Sequence, residues 1–219
     1  MGNVLILANS KKHSAHCVAG VDIETFKWVR PVGPGLDGEL NESQCRVHSG
    51  TTFTQAQSGD LIEMPLGRGR PTLHHPEDVE IAGKWNAVDH WPVERIRTSL
   101  RSIIAVDRPP LGSYRDRVPV AEIGQNPNHR SLDLFDLPRT EFYATTSLTG
   151  NRQIRGRLKF GKWLVDLSTT DIAFTEAMAT VNEVVLDRCL VTMSLALPFV
   201  PQGAVDPFCF KVIAGVMRY

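Results

Sequence analysis

The chain has 219 residues, with 24 Lys and Arg against 24 Asp and Glu, so it carries no formal net charge and its pI is about 7.1. Hydrophobic residues at 42% and charged residues at 22% match globular proteins, which excludes a disordered, collagen-like or coiled-coil chain. The even balance also argues against non-specific coating of duplex DNA, which depends on neutralising many phosphates, and leaves room for a local cationic site.

The first apolar stretch, Val4-Leu5-Ile6-Leu7-Ala8, is too short for a signal-peptide core or a bilayer span and reads as a strand. Met1-Gly2 does not read as a myristoylation signal, because Ile6 stands where Ser or Thr is required, so a cytoplasmic protein with no membrane partner is expected. Runs at 17–23 and 27–32 flank Asp22-Ile23-Glu24-Thr25 and predict a hairpin. In its second arm Phe26, Trp28 and Arg30 alternate and should share a face. Such a trio either stacks bases and pairs a phosphate, or packs as core with Arg30 anchored by a carboxylate of the same barrel.

Further strands are expected at 60–64 and 78–81, with Gly67-Arg-Gly-Arg-Pro71 a flexible loop between them. After Pro92, the stripe Val93, Ile96, Leu100, Ile103 and Ile104 predicts a helix over 93–105. Arg95, Arg97 and Arg101 on that helix, with Arg108, Arg115 and Arg117 beyond it, read as a solvated face or as the lining of a groove at a domain junction. Asp107 to Pro119 carries Pro109-Pro110 and Gly112-Ser113, which a continuing helix or central strand does not tolerate. The expected organisation is therefore a barrel over 1–106, a linker over 107–118 and a second barrel over 119–219.

Beyond the linker, strands are predicted at 132–137, 141–145, 153–160, 163–167, 184–186, 190–197 and 208–217, with a short helix near 172–181. The fold class is all-β with one or two helices, and the strand count of each half suits a small antiparallel OB-like barrel. Cys17-Val-Ala-Gly-Val21 is echoed by Val212-Ile-Ala-Gly-Val216.

The most informative local feature is 152–162, which holds Arg152, Arg155, Arg157, Lys159 and Lys162 and no acid. As a strand it places Arg155, Arg157 and Lys159 on one face, opposite Ile154, Leu158 and Phe160. A cation row at roughly 6.6 Å, two strand rises, can follow a phosphate backbone. The alternative is an ordinary half-exposed strand whose cations meet the acidic stretch of Asp171, Glu176, Glu183 and Asp187.

His13-x-x-His16-Cys17 and His74-His75 are zinc-ligand types at spacings that match no known finger, and the adjacent histidines should point apart on a strand. Cys17, Cys45, Cys189 and Cys209 are scattered and read as free thiols, so no metal and no other cofactor is expected. Phosphate-loop, zincin, nucleophile-elbow and dinucleotide signatures are missing from the sequence. Asp166 and Asp171 with Lys159 and Lys211 would suit a metal-dependent nuclease, or the two acids pair with bases and cap a helix near Thr169 and Thr170.

His16-Cys-Val-Ala-Gly-Val-Asp22, Trp28-Val-Arg-Pro-Val32, Gly59-Asp-Leu-Ile-Glu63, His75-Pro-Glu-Asp78 and Trp85 resemble the first half of the bacterial dual OB-containing domain proteins. The second half is similar through Leu158-Lys-Phe-Gly-Lys-Trp-Leu-Val-Asp-Leu167, Thr170-Asp171, Met193-Ser-Leu195 and Cys209-Phe-Lys-Val-Ile-Ala-Gly-Val216. The resemblance implies two OB-like barrels and a nucleic-acid or nucleotide-binding role in prokaryotic defence, and it brings no catalytic residue with it. Together these readings favour a non-catalytic module that takes single-stranded nucleic acid or a nucleotide through Arg155, Arg157, Lys159, Lys162, Trp28 and Arg30. A metal-dependent nuclease, or an adaptor that pairs its strands with an effector protein, are the alternatives.

Overall fold

The structure is a computed structural model that describes residues 2–12, 15–35, 37–106, 108–147 and 150–219; Met1, His13 and Asp107 of the motifs above lie outside these. β1 (Gly2–Lys12), β2 (Ala15–Asp22) and β3 (Trp28–Val32) form a meander, and at the expected hairpin Asp22 Oδ1 accepts from the amides of Glu24 and Thr25. A hairpin of β4 (Arg46–Ser49) and β5 (Thr52–Gln55) follows, then β6 (Asp60–Met64), β7 (Leu66–Gly69), β8 (Asp78–Ile81) and β9 (Trp85–His90). β1 pairs with β2 on one side and β6 on the other, β3 pairs with β8, and β9 pairs with β6. Residues 82–84 alone separate β8 from β9, so the two act as one bent strand that returns the nine-stranded sheet on itself. Val4, Ile6, Val18, Ile62, Met64 and Trp85 fill the space it encloses.

In the second half β11 (Leu132–Thr146), β12 (Arg152–Phe160), β13 (Trp163–Thr169), β15 (Phe208–Arg218) and β14 (Glu183–Phe199) close a five-stranded circuit, and β10 (Arg117–Pro119) extends it beside β15. Its core holds Phe142, Ile154, Leu158, Leu167, Val191 and Ile213. α3 (Ile172–Ala177) joins β13 to β14, capped by Asp171, whose Oδ1 accepts from the Phe174 amide at 2.8 Å. The all-β, two-barrel class is as expected, with one correction. Each half contains parallel contacts, β3 with β8 and β4 with β9 in the first and β13 with β15 in the second.

Several boundaries differ from expectation for physical reasons. β5, β7 and most of β9 are exposed and polar, so they lack the apolar alternation that would reveal them. β11 passes through Pro138 because β12 joins it only from Glu141 onward, leaving that side of the strand without a ladder at the proline. α1 (Val93–Ser99) stops short of 105, since its stripe continues as a turn that docks Ile104 beside Leu134, with the Ala105 amide donating to the Leu134 carbonyl at 2.7 Å. α2 (Val120–Gln125), after Pro119, has no periodicity long enough to announce it.

The barrels share a core: Leu5, Leu7, Trp91, Ile96 and Leu100 pack with Leu134, Leu190 and Met217. β1 bulges between Ile6 and Ala8, and the Leu7 carbonyl accepts from Thr192 Oγ1 at 2.7 Å. A Cβ on Gly215 would collide with that same Leu7 carbonyl, and one on Gly20 with the Leu5 carbonyl. The Ala-Gly echo of the sequence thus marks two places where a backbone crowds β1, on strands that are not equivalent in the two circuits. Between the barrels, Arg108 grips Asp133 at 3.0 and 2.6 Å, and Lys211 Nζ donates to the Pro110 and Ser113 carbonyls at 2.8 and 2.6 Å. The proline-rich segment is a strap fastened to the second barrel.

Candidate functional site

The alternation expected along β12 is present: Ile154, Gly156 and Leu158 are buried, while Arg155, Arg157 and Lys159 face outward. Register decides what those cations meet. Arg157 lies directly opposite Glu141 of β11 and Asp166 of β13, and Arg155 opposite Tyr143 and Ser168. Arg157 Nη1 donates to Glu141 at 2.6 Å, and Arg155 Nε donates to Asp166 at 2.6 Å with a further bond from its Nη1 to Ser168 Oγ. The Tyr143 hydroxyl donates to the same Asp166 at 2.6 Å, and burial, then this carboxylate, raises the phenol above its ordinary pKa. The acids that balance this strand are therefore neighbours on the adjoining strands, not the 171–187 stretch, and solvent screens such exposed pairs.

Lys159 has a different surrounding. At the end of β12, Gly161-Lys162 makes a two-residue hairpin turn with glycine first at φ 56°, and Phe160 pairs with Trp163 across it. The turn projects Lys159, Lys162 and Trp163 into a cavity of about 840 Å³ between the barrels. Arg97 and Arg101 of α1 and its following turn, Arg108 and Tyr114 of the strap, and Phe135 and Asp136 of β11 complete its walls. Tyr114 and Trp163 stack with ring centroids 5.1 Å apart and planes 11° from parallel, yet Trp163 remains 48% exposed. Lys162 Nζ lies 5.4 Å from the centre of that indole.

Among the described residues of the lining, five cations thus face one carboxylate, Asp136, which Arg97 and Arg188 hold at 2.6 Å each. Those two guanidiniums outweigh the opposing effect of burial and keep Asp136 ionised below the usual carboxylate range. Arg108 is committed to Asp133. Among the described residues no carboxylate pairs with Arg101, Lys159 or Lys162. A half-exposed aromatic stack beside three unneutralised cations can hold a planar aromatic group and an anion together.

The other expected site residues lie elsewhere. Trp28 packs against the shared core beside Ala8, Ala19 and Leu132. Arg30 is 9% exposed and grips Asp78 through Nε and through Nη2, the latter at 2.8 Å, the anchoring carboxylate foreseen as the alternative. Phe26 sits in the turn before β3 at φ 55° and does not share its face. Asp166 serves Arg155 and Tyr143, Asp171 caps α3 and accepts from the Val216 amide, and Lys211 holds the strap, so these groups do not converge. His74 and His75 pack edge to face at 4.7 Å instead of pointing apart, and His75 Nε2 meets the Leu195 carbonyl. Among the described residues no three His, Cys, Asp or Glu side chains gather as a metal site, and His13 falls outside them. Burial pushes the free thiols of Cys45, Cys189 and Cys209 up to about 12, 11 and 11, away from reactivity.

Lys159 and Lys162 stand among the cations that the sequence singles out, Arg101 is open there to two readings, a solvated face or a groove lining, and the pairing of Tyr114 with Trp163 is not legible in it. Lys-Phe-Gly-Lys-Trp does carry a local signal, a glycine-first turn between two aromatics, whereas Tyr114 arrives from a proline-rich segment with no periodicity. No helix is long and apolar enough to cross a membrane among the described residues. No curated protein and no solved structure matches the chain. The family model of the dual OB-containing domain matches residues 3–216, almost the entire chain with both of its barrels, and the chain belongs to that family.

Proposed function

We propose that the protein is a non-catalytic OB-fold binding module that takes single-stranded nucleic acid or a nucleotide in the groove between its barrels. The observation that carries this reading is the half-exposed Tyr114–Trp163 stack flanked by Arg101, Lys159 and Lys162, three cations without a carboxylate partner among the described residues. An aromatic face accepts a base of any identity, and the cations accept its phosphates. The site first expected from sequence shifts accordingly, away from Arg155, Arg157, Trp28 and Arg30 and toward the hairpin tip. Work within a prokaryotic defence system rests on the family resemblance, a cytoplasmic location on the short apolar stretch at 4–8, and an effector partner on the alternative reading as an adaptor. The test is binding of nucleoside triphosphates and oligothymidylate by the full chain and by the triple variant Arg101→Ala, Lys159→Ala, Lys162→Ala. The variant should lose most affinity and nearly all salt dependence, since each single-strand phosphate contact contributes a slope of roughly 0.7. Unchanged affinity in that variant rejects the groove.

A further inference from the structure

We infer that the occupant of this groove is a compact nucleotide, one or two units with their phosphates, and not a strand that runs along β12. The inference rests on the binding reading above and narrows it. The geometry of charge is the first reason. A backbone leaving the groove along the outward face of β12 would pass from Lys159 to Arg157 and Arg155, in steps of roughly 6.6 Å. Arg157 has Glu141 and Asp166 directly across from it and Arg155 bonds that same Asp166, and the carboxylates stay on the path whether or not the arginines turn toward a phosphate. The cationic surface therefore ends at Lys159. Across the groove the one carboxylate among the described lining residues, Asp136, is already held by Arg97 and Arg188.

The aromatic inventory is the second reason. Proteins that hold single strands offer successive aromatic platforms, one for each of several bases. Here Phe135 is 2% exposed and serves the barrel core, with Phe160 and Tyr114 packed against that same core, which leaves Trp163 as the broad exposed ring. One platform serves one base. Arg101, Lys159 and Lys162, which pair with no carboxylate among the described residues, match the charge of a nucleoside di- or triphosphate, and a cavity of about 840 Å³ lies within the range of small-ligand sites, about 300–1,000 Å³.

The experiment compares ATP, GTP, CTP and UTP with single-stranded oligothymidylates from the dinucleotide to the dodecanucleotide, each over a range of salt. Expected are nucleotide binding, oligomer affinity that levels off at the dinucleotide, and a salt slope near 2, three contacts at roughly 0.7 each. Trp163→Ala should weaken nucleotide binding about five- to hundredfold, the loss of one stacked base. The double variant Glu141→Gln, Asp166→Asn opens the path along β12: it should leave nucleotide affinity unchanged and introduce a rise with oligomer length. Affinity that climbs tenfold or more with length in the native protein, together with weak nucleotide binding, overturns this inference and leaves the binding reading standing. Failure of every nucleotide and oligomer to bind overturns both.

Discussion

Lys211 shows how much a single buried side chain decides in this molecule. It is 2% exposed, and its ammonium donates to two carbonyls and to Ser113 Oγ, the last at 2.9 Å, fixing a strap whose Leu111 adopts a left-handed φ of 47°. Burial pulls its pKa down from 10.5 to about 8, against the weaker upward pull of Asp133 and Asp116. Between these two values the unfolded chain binds a proton that the folded chain has released, so this group makes the fold more stable as pH rises through that window. Lys211→Met should destabilise by about 1–3 kcal/mol at neutral pH, because the Pro110 and Ser113 carbonyls are left without their donor. The difference between native and variant stability should then widen from pH 8 to 10.5, read by denaturant melts at several pH values. A difference that stays flat or shrinks across that window contradicts the assignment. No local pattern in Asp206-Pro-Phe-Cys-Phe-Lys211 announces this role, since the carbonyls that Lys211 meets lie about a hundred positions earlier. Arg30 was more legible: a lone arginine inside an apolar strand needs a carboxylate, and Asp78 supplies it.

At the scale of elements, what could be read was whatever alternates or repeats within one segment. The outward row of β12 and the apolar stripe of α1 both follow from spacing alone, and both stand in the structure as spacing places them. What Arg155 and Arg157 would meet could not be read that way, because it depends on the register of β12 against β11 and β13. The meaning of the Ala-Gly echo was hidden for the same reason. Gly215 lies where β15 presses on the bulge of β1, and a methyl group there would meet a backbone oxygen that cannot rotate aside. Gly215→Ala should therefore separate β1 from β15, weaken the bond from Thr192 to Leu7, and destabilise by about 1–3 kcal/mol, as overpacking does. Gly35→Ala is the control, since a Cβ there has nothing within 4 Å, and it should change stability by less than about 0.5 kcal/mol. Thermal melts of both variants check the pair, and equal melting temperatures would show that β1 yields freely to the added methyl.

Across the whole molecule, two barrels built from consecutive halves suggest two folding units, yet their shared core argues for one. Leu5, Leu7, Ile96 and Leu100 from the first half are buried against Leu134 and Leu190 of the second, and polar bonds cross the seam as well. The Lys11 amide donates to the Thr170 carbonyl at 2.8 Å, His75 Nε2 meets the Leu195 carbonyl at 2.8 Å, and Glu77 receives the amide and hydroxyl of Ser131 at 2.9 and 2.7 Å. Either half alone would expose these apolar side chains and strand these polar groups. The full chain should therefore unfold in one transition, although chains of this length often populate intermediates. In a Trp163→Phe background the remaining tryptophans, Trp28, Trp85 and Trp91, report from the first half and far-ultraviolet dichroism from all strands, so coincident transitions by the two probes, with equal calorimetric and van't Hoff enthalpies, are the expected result. Leu100→Ala should lower the whole transition by about 2–5 kcal/mol without splitting it, because its cavity opens in a core that belongs to both barrels. Two resolved transitions, with Leu100→Ala moving only the one seen by tryptophan, would show that the barrels fold separately and that the seam is a contact between finished domains.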